Sequence, residues 1–217
     1  MQSRMIPLTM AFLMVTACSR SQETASFAPA EDALYVTREG VITSAVIETY
    51  ENEYYTEEEL KASVEEALAD FNGTGGTSTS EEASSREAAA FHSCSLADGT
   101  ASLYLDFKDP AAYLEFMEAY PDEESSIQVK ALDVTLVSDG ITKGYLTGQT
   151  FKNASSNPKE VDASEVMKHS KLYVAAIEGP ALIQTEGQIQ YVSSDVTVLG
   201  STLVQTPETG MVYVIFK

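Results

Sequence analysis

ALYVTREGVITSAVIETY, running from Ala33 to Tyr50, is the stretch that decides the fold class. Two runs rich in Val, Ile, Thr and Tyr flank Arg38-Glu39-Gly40, and this reads as a hairpin whose glycine takes a left-handed position. Along the second run Val41, Ala45 and Ile47 share a face with Thr43 and Thr49, while Ile42 and Val46 lie opposite. Neither face is strongly polar, so the strand is expected to be covered on both sides.

Downstream of the hairpin the period changes from two to 3.6. Thr56 with Glu59 forms a capping box, Glu57 to Glu59 place negative charge at the positive end of the helix dipole, and Leu60, Val64, Leu68 and Phe71 recur at helical spacing up to Asn72-Gly73. A low-complexity segment, GTGGTSTSEEASS at 73–85, reads as a flexible loop within one domain. Phe91 to Phe107 reads as a hairpin about Asp98-Gly99, which places His92, Cys94, Leu96, Leu103, Leu105 and Phe107 on one face. A second helix is capped by Asp109, begins with Pro110, turns Tyr113, Leu114, Met117 and Tyr120 inward and stops at Pro121. Beyond it, Ile127 to Val137 and Ile141 to Thr147 read as strands around Ser138-Asp139-Gly140, followed by a polar loop from Lys152 to Val161 and a short helix capped by Asp162. Six further strand runs end the chain, starting at Leu172, Ala181, Gln188, Val196, Thr202 and Met211. The expectation is an α+β domain over 33–217, with mostly antiparallel sheet, two main helices and one short helix.

Upstream of Ala33 the composition is of another kind. Met1 to Cys18 carries one charge, Arg4, then an apolar run through Ile6, Leu8, Ala11, Phe12, Leu13, Met14 and Val15, then Val15-Thr16-Ala17-Cys18. The order matches a secretory signal peptide over 1–17, and its end resembles the lipobox of bacterial lipoproteins. The resemblance implies a diacylglycerol on the sulfur of Cys18, two acyl chains being enough for stable anchoring. The rival readings are a spanning helix, for which the apolar run is too short, and an ordinary signal peptide that leaves Cys18 as an incidental thiol. Ser19 to Asp32 is polar, small and Pro-containing, and reads as a tether of about 20 Å root-mean-square span. The stretch LYVTREGVITSAVIETYENEYYTEEELKASVEEALADFN is similar to one near the start of small uncharacterised extracytoplasmic lipoproteins of Gram-positive bacteria. That similarity carries no catalytic motif and brings no function with it.

Charge narrows the partners. Of 13 Lys plus Arg, removal of Arg4 with the leader leaves 12 against 33 Asp plus Glu, a net charge of −21. Phosphate binding needs clustered Lys and Arg, so nucleic acid is excluded as a partner. Anionic headgroups would repel the body, which leaves the lipid on Cys18 as the contact with the membrane. With Cys18 assigned to lipid only Cys94 remains, and no intramolecular disulfide can form.

The residues that carry chemistry are sparse. His92 and Cys94 share a strand face, but zinc needs three or four ligands and His169 sits in another element, so a core-facing Cys with a partly buried His is the simpler reading. Glu57 to Glu59, Glu65-Glu66, Glu81-Glu82 and Asp122 to Glu124 fall at a helix start, on a helical polar face or in loops, where carboxylates are solvated. Tyr50, Tyr54 and Tyr55, interleaved with Glu51 and Glu53, form a candidate patch for a protein or glycan partner, or staple the strand to the following helix. Walker loops, HExxH, serine-hydrolase elbows and paired CxxC motifs are absent from the sequence, and no metal or cofactor is expected. The leading expectation is a membrane-anchored extracytoplasmic lipoprotein with a non-enzymatic binding or assembly role at the cell envelope. The alternative is an extracytoplasmic hydrolase or lyase that works on cell-wall or saccharide substrates through carboxylates far apart in sequence.

Overall fold

The opening hairpin forms as β1 (Ala33–Val36) and β2 (Ile42–Thr49), paired antiparallel, and Gly40 takes φ +81° in its turn. The computed structural model describes residues 27–49, 56–74 and 87–217; Cys18, Tyr50, Tyr54, Tyr55 and most of the 73–85 segment lie outside them. Next comes α1 (Glu57–Thr74), whose capping box closes as expected: the Glu59 carboxylate accepts from the Thr56 N–H, and Thr56 Oγ1 accepts from the Glu59 N–H. The second hairpin is β3 (Ala89–Ala97) and β4 (Thr100–Phe107), turning on Asp98 and Gly99 with φ of 53° and 75°, the pair of positive values that a type I′ turn requires. In α2 (Pro110–Ala119), Asp109 caps the helix by accepting from the Ala112 N–H at 2.8 Å.

The second half differs from expectation around Ser138-Asp139-Gly140 and in the strand expected from Ile141 to Thr147, which is helix end and turn, and the loop expected from Lys152 to Val161 holds parts of two strands, Thr150–Asn153 and Glu160–Asp162. β5 (Ala131–Leu136) runs straight into a short helix, α3 (Val137–Thr142), where Ser138-Asp139-Gly140 was expected to turn a hairpin. The cause is packing: a Cβ on Gly140 would stand 2.9 Å from Val174 Cγ1, so this glycine serves close approach of helix to sheet rather than a turn. Val137 and Leu146 are fully buried by that approach. Thereafter follow β6 (Thr150–Asn153), β7 (Glu160–Asp162), α4 (Ala163–Met167) and β8 (Tyr173–Glu178). The chain closes with β9 (Leu182–Thr185), β10 (Ile189–Ser193), β11 (Thr197–Val198), β12 (Leu203–Gln205) and β13 (Met211–Phe216). The outcome is an α+β fold, largely sheet, with α3 as a second short helix.

Two sheets result. One has seven strands in the order β11-β12-β9-β1-β2-β4-β3, antiparallel except for the β1–β9 pair; the other has six, β5-β8-β13-β10-β6-β7, all antiparallel. Alternation then assigns the faces. On β8, Ala175 and Ile177 enter the main core while Val174 and Ala176 face a second one; on β13, Val212, Val214 and Phe216 divide from Tyr213 and Ile215 in the same way. The six-stranded sheet is therefore covered on both faces, with Val137 of α3 and Val166 of α4 closing the second core. The seven-stranded sheet shares the main core through Leu34, Val36 and Ile183, and along its β2–β4–β3 half the same face meets α1 and α2. Its outer face carries Tyr35, Thr43, Tyr104 and Asp106. Phe27 lies there, stacked on Tyr35 with ring centroids 5.4 Å apart and edge-on to Tyr104 at 5.9 Å.

Candidate functional site

The space between the inner face of β2–β4 and the two long helices is not completely filled. It encloses about 310 Å³, within the range of small-ligand sites. From β2 come Ser44, Val46 and Glu48, and from β4 Ala101, Leu103, Leu105 and Phe107, each set at the period of two that one strand face demands. Leu60, Val64 and Ala67 supply one helical wall at spacings of four and three, and Tyr113, Phe116, Met117 and Tyr120 supply the other. Asp122, Ser125 and Ile127, just past α2, complete the lining.

The two ends of this cavity differ. At the inner end Phe107 stands edge-on to Tyr113 at 5.3 Å and against Phe116 at 5.3 Å, and Phe116 in turn meets Phe71 edge-on. These rings are almost wholly shielded, and burial drives the Tyr113 hydroxyl well above its ordinary pKa, with the Asp32 charge adding to the effect. At the outer end lie Glu48, Asp122 and Tyr120. The Glu48 carboxyl stands at the exposed rim of the chamber and is held above its usual range by partial desolvation, then by repulsion from Asp122, Asp32 and Glu124. Tyr120 donates its hydroxyl to the Ala67 carbonyl and the Asp70 carboxylate, joining α2 to α1, and its ring lies 4.9 Å from that of Phe116. Asp122 accepts from the N–H groups of Glu124 and Ser125, which fixes the turn that carries it. Among the described residues no Lys or Arg contributes to the lining.

Asp32 anchors this end from behind. Only 8% exposed, it accepts from the Ile47 N–H at 2.8 Å, the Ser125 hydroxyl at 2.8 Å and the Ser126 N–H at 3.1 Å. Its charge is thus compensated, among the described residues, by three hydrogen-bond donors. The residue belongs to a stretch with no apolar pattern, and its partners lie 15, 93 and 94 residues away, so nothing local in the sequence marks it.

The His92–Cys94 pair does not survive. The β3–β4 register shifts between Phe91 and Ser93, a β-bulge that turns His92 to the outer face and Phe91 to the inner one. His92 stands half-exposed with Nδ1 2.9 Å from the Asp106 carboxylate and its ring beside Tyr104. Cys94 stays on the inner face, opposite Leu103, with Sγ toward the Glu57 carbonyl at 3.9 Å. Burial, reinforced by the Glu57 charge, raises its thiol pKa, the reverse of what a nucleophilic cysteine requires. His169 is distant from both in the fold and pairs instead with the Tyr191 hydroxyl at 3.1 Å.

The fold and cavity together define a two-sheet α+β domain with an apolar chamber that is acidic at one end. No protein family matches the chain, and no curated protein and no solved structure is similar to it.

Proposed function

We propose that this chain is an extracytoplasmic lipoprotein, held at the cell membrane by lipid on Cys18, whose α+β domain binds a small apolar or amphipathic ligand without transforming it. The observation that supports binding is the chamber between α1, α2 and the β2–β4 face: its walls are Leu, Val, Phe and Met side chains that offer contact area, with carboxylates at one end only. Anchoring is supported by the leader sequence and by the acidity of the body, which needs an attachment other than electrostatic attraction.

Fractionation and mass spectrometry of the full chain test the anchor. The protein is expected in the membrane fraction with a lipid mass on an N-terminal Cys18, and Cys18→Ala is expected to release it; an intact chain recovered from the cytosol with Met1 attached overturns the proposal. Binding is tested by the fluorescence of a neutral apolar dye such as Nile red, expected to brighten with the wild-type domain. A hydrolase is favoured by one observation, that Glu48, its pKa raised in part by the Asp122 charge, shares the chamber's lining with Asp122. Release of reducing ends from cell-wall glycan, lost in Glu48→Gln, would replace binding by that reading.

A further inference from the structure

The chamber's two ends specify more than apolarity, and the inference here rests on the chamber being the binding site. Along β2 the lining runs from Ser44 to Glu48, about 14 Å at the rise of an antiparallel strand, which suits a medium-length alkyl chain. Its inner end is aromatic and aliphatic, so the buried part of a ligand must be apolar. Its outer end holds Glu48 and Asp122 with the Tyr120 ring, and the carboxylates of Asp32 and Glu124 act on the same point.

An anionic headgroup there would face Glu48 and Asp122, with no lining cation among the described residues. A neutral headgroup would leave the repulsion among these partly exposed groups to water. A positive one relieves it, and a quaternary ammonium can also sit against an aromatic face, where cation–π attraction adds to the ionic term. We propose that the chamber takes an amphiphile with an alkyl body and an ammonium end, the cationic end seated among Glu48, Asp122 and Tyr120.

The test compares three probes of one chain length, decyltrimethylammonium, decanol and decanesulfonate, titrated below their micelle concentrations into the full chain. Binding is followed by calorimetry and by the methyl resonance of Met117, which lines the chamber. The cation is expected to bind about tenfold more tightly than the alcohol and the sulfonate to bind least, all three shifting Met117 where they bind. Glu48→Gln and Asp122→Asn, both isosteric, are expected to abolish the cation's advantage while leaving decanol binding intact. Equal affinity for cation and alcohol overturns the charge preference and leaves an apolar site. Failure of all three to shift Met117 overturns the chamber as a ligand site altogether.

Discussion

Asp32 and Glu48 are both carboxylates behind or beside one chamber, and their environments make them opposites. Asp32 has three donors and almost no exposure, so its removal leaves the N–H groups of Ile47 and Ser126 and the Ser125 hydroxyl without their acceptor. Asp32→Ala is expected to destabilise the fold by about 3 kcal/mol, measured by urea denaturation at neutral pH. Glu48, at the exposed rim, has no such donors among the described residues, and partial desolvation with three neighbouring carboxylates raises its pKa in the folded state. The folded protein therefore binds that proton more readily than the unfolded chain does, so stability falls as pH rises through the folded value. Glu48→Gln is expected to raise the thermal midpoint at pH 7, with the difference from wild type vanishing near pH 3, below the ordinary glutamate value of about 4.3. A stabilisation that persisted unchanged at acid pH would trace to packing rather than charge.

At the scale of elements, the caps and turns of the first half were legible because their chemistry is local. Thr56 with Glu59, Asp109 with Pro110, and Asp98-Gly99 each carry their signal within four residues, and each forms as read. Asp109→Ala removes the acceptor of the Ala112 N–H and is expected to cost about 1 kcal/mol in denaturant melts, loosening the helix that supplies Tyr113, Phe116 and Met117 to the chamber. Elements decided by distant partners were misread or missed. Gly140 looks like a turn glycine until Val174, 34 residues on, is seen against it, and the bulge at His92 has no marker in the sequence of β3. Glu48, at the end of an apolar strand face, carries no mark in the sequence of a polar end to the site. Its meaning depended on Asp122, which sequence separation hides.

At the scale of the whole molecule, one core runs through both sheets. Leu34 and Ile183 of the seven-stranded sheet and Ile177, Val214 and Phe216 of the six-stranded sheet belong to one buried cluster, with Phe107 and Phe116 continuing it under the helices. A domain built in this way is expected to unfold in a single step. With no Trp in the chain, the measurement is tyrosine fluorescence set beside far-ultraviolet circular dichroism in the same urea series. Coincident curves are the expected result; separated midpoints would show that the two sheets melt independently.

The seat of Phe27 on Tyr35 and Tyr104 bears on how the molecule would ride at a membrane. In the sequence only residues 19 to 26 separate Cys18 from this docked ring. Were that cysteine to carry lipid as proposed, this short span would keep the Tyr35–Tyr104 face of the sheet on the side nearer the mooring. The chamber, lined from the opposite face of that sheet, would then lie on the far side from the mooring.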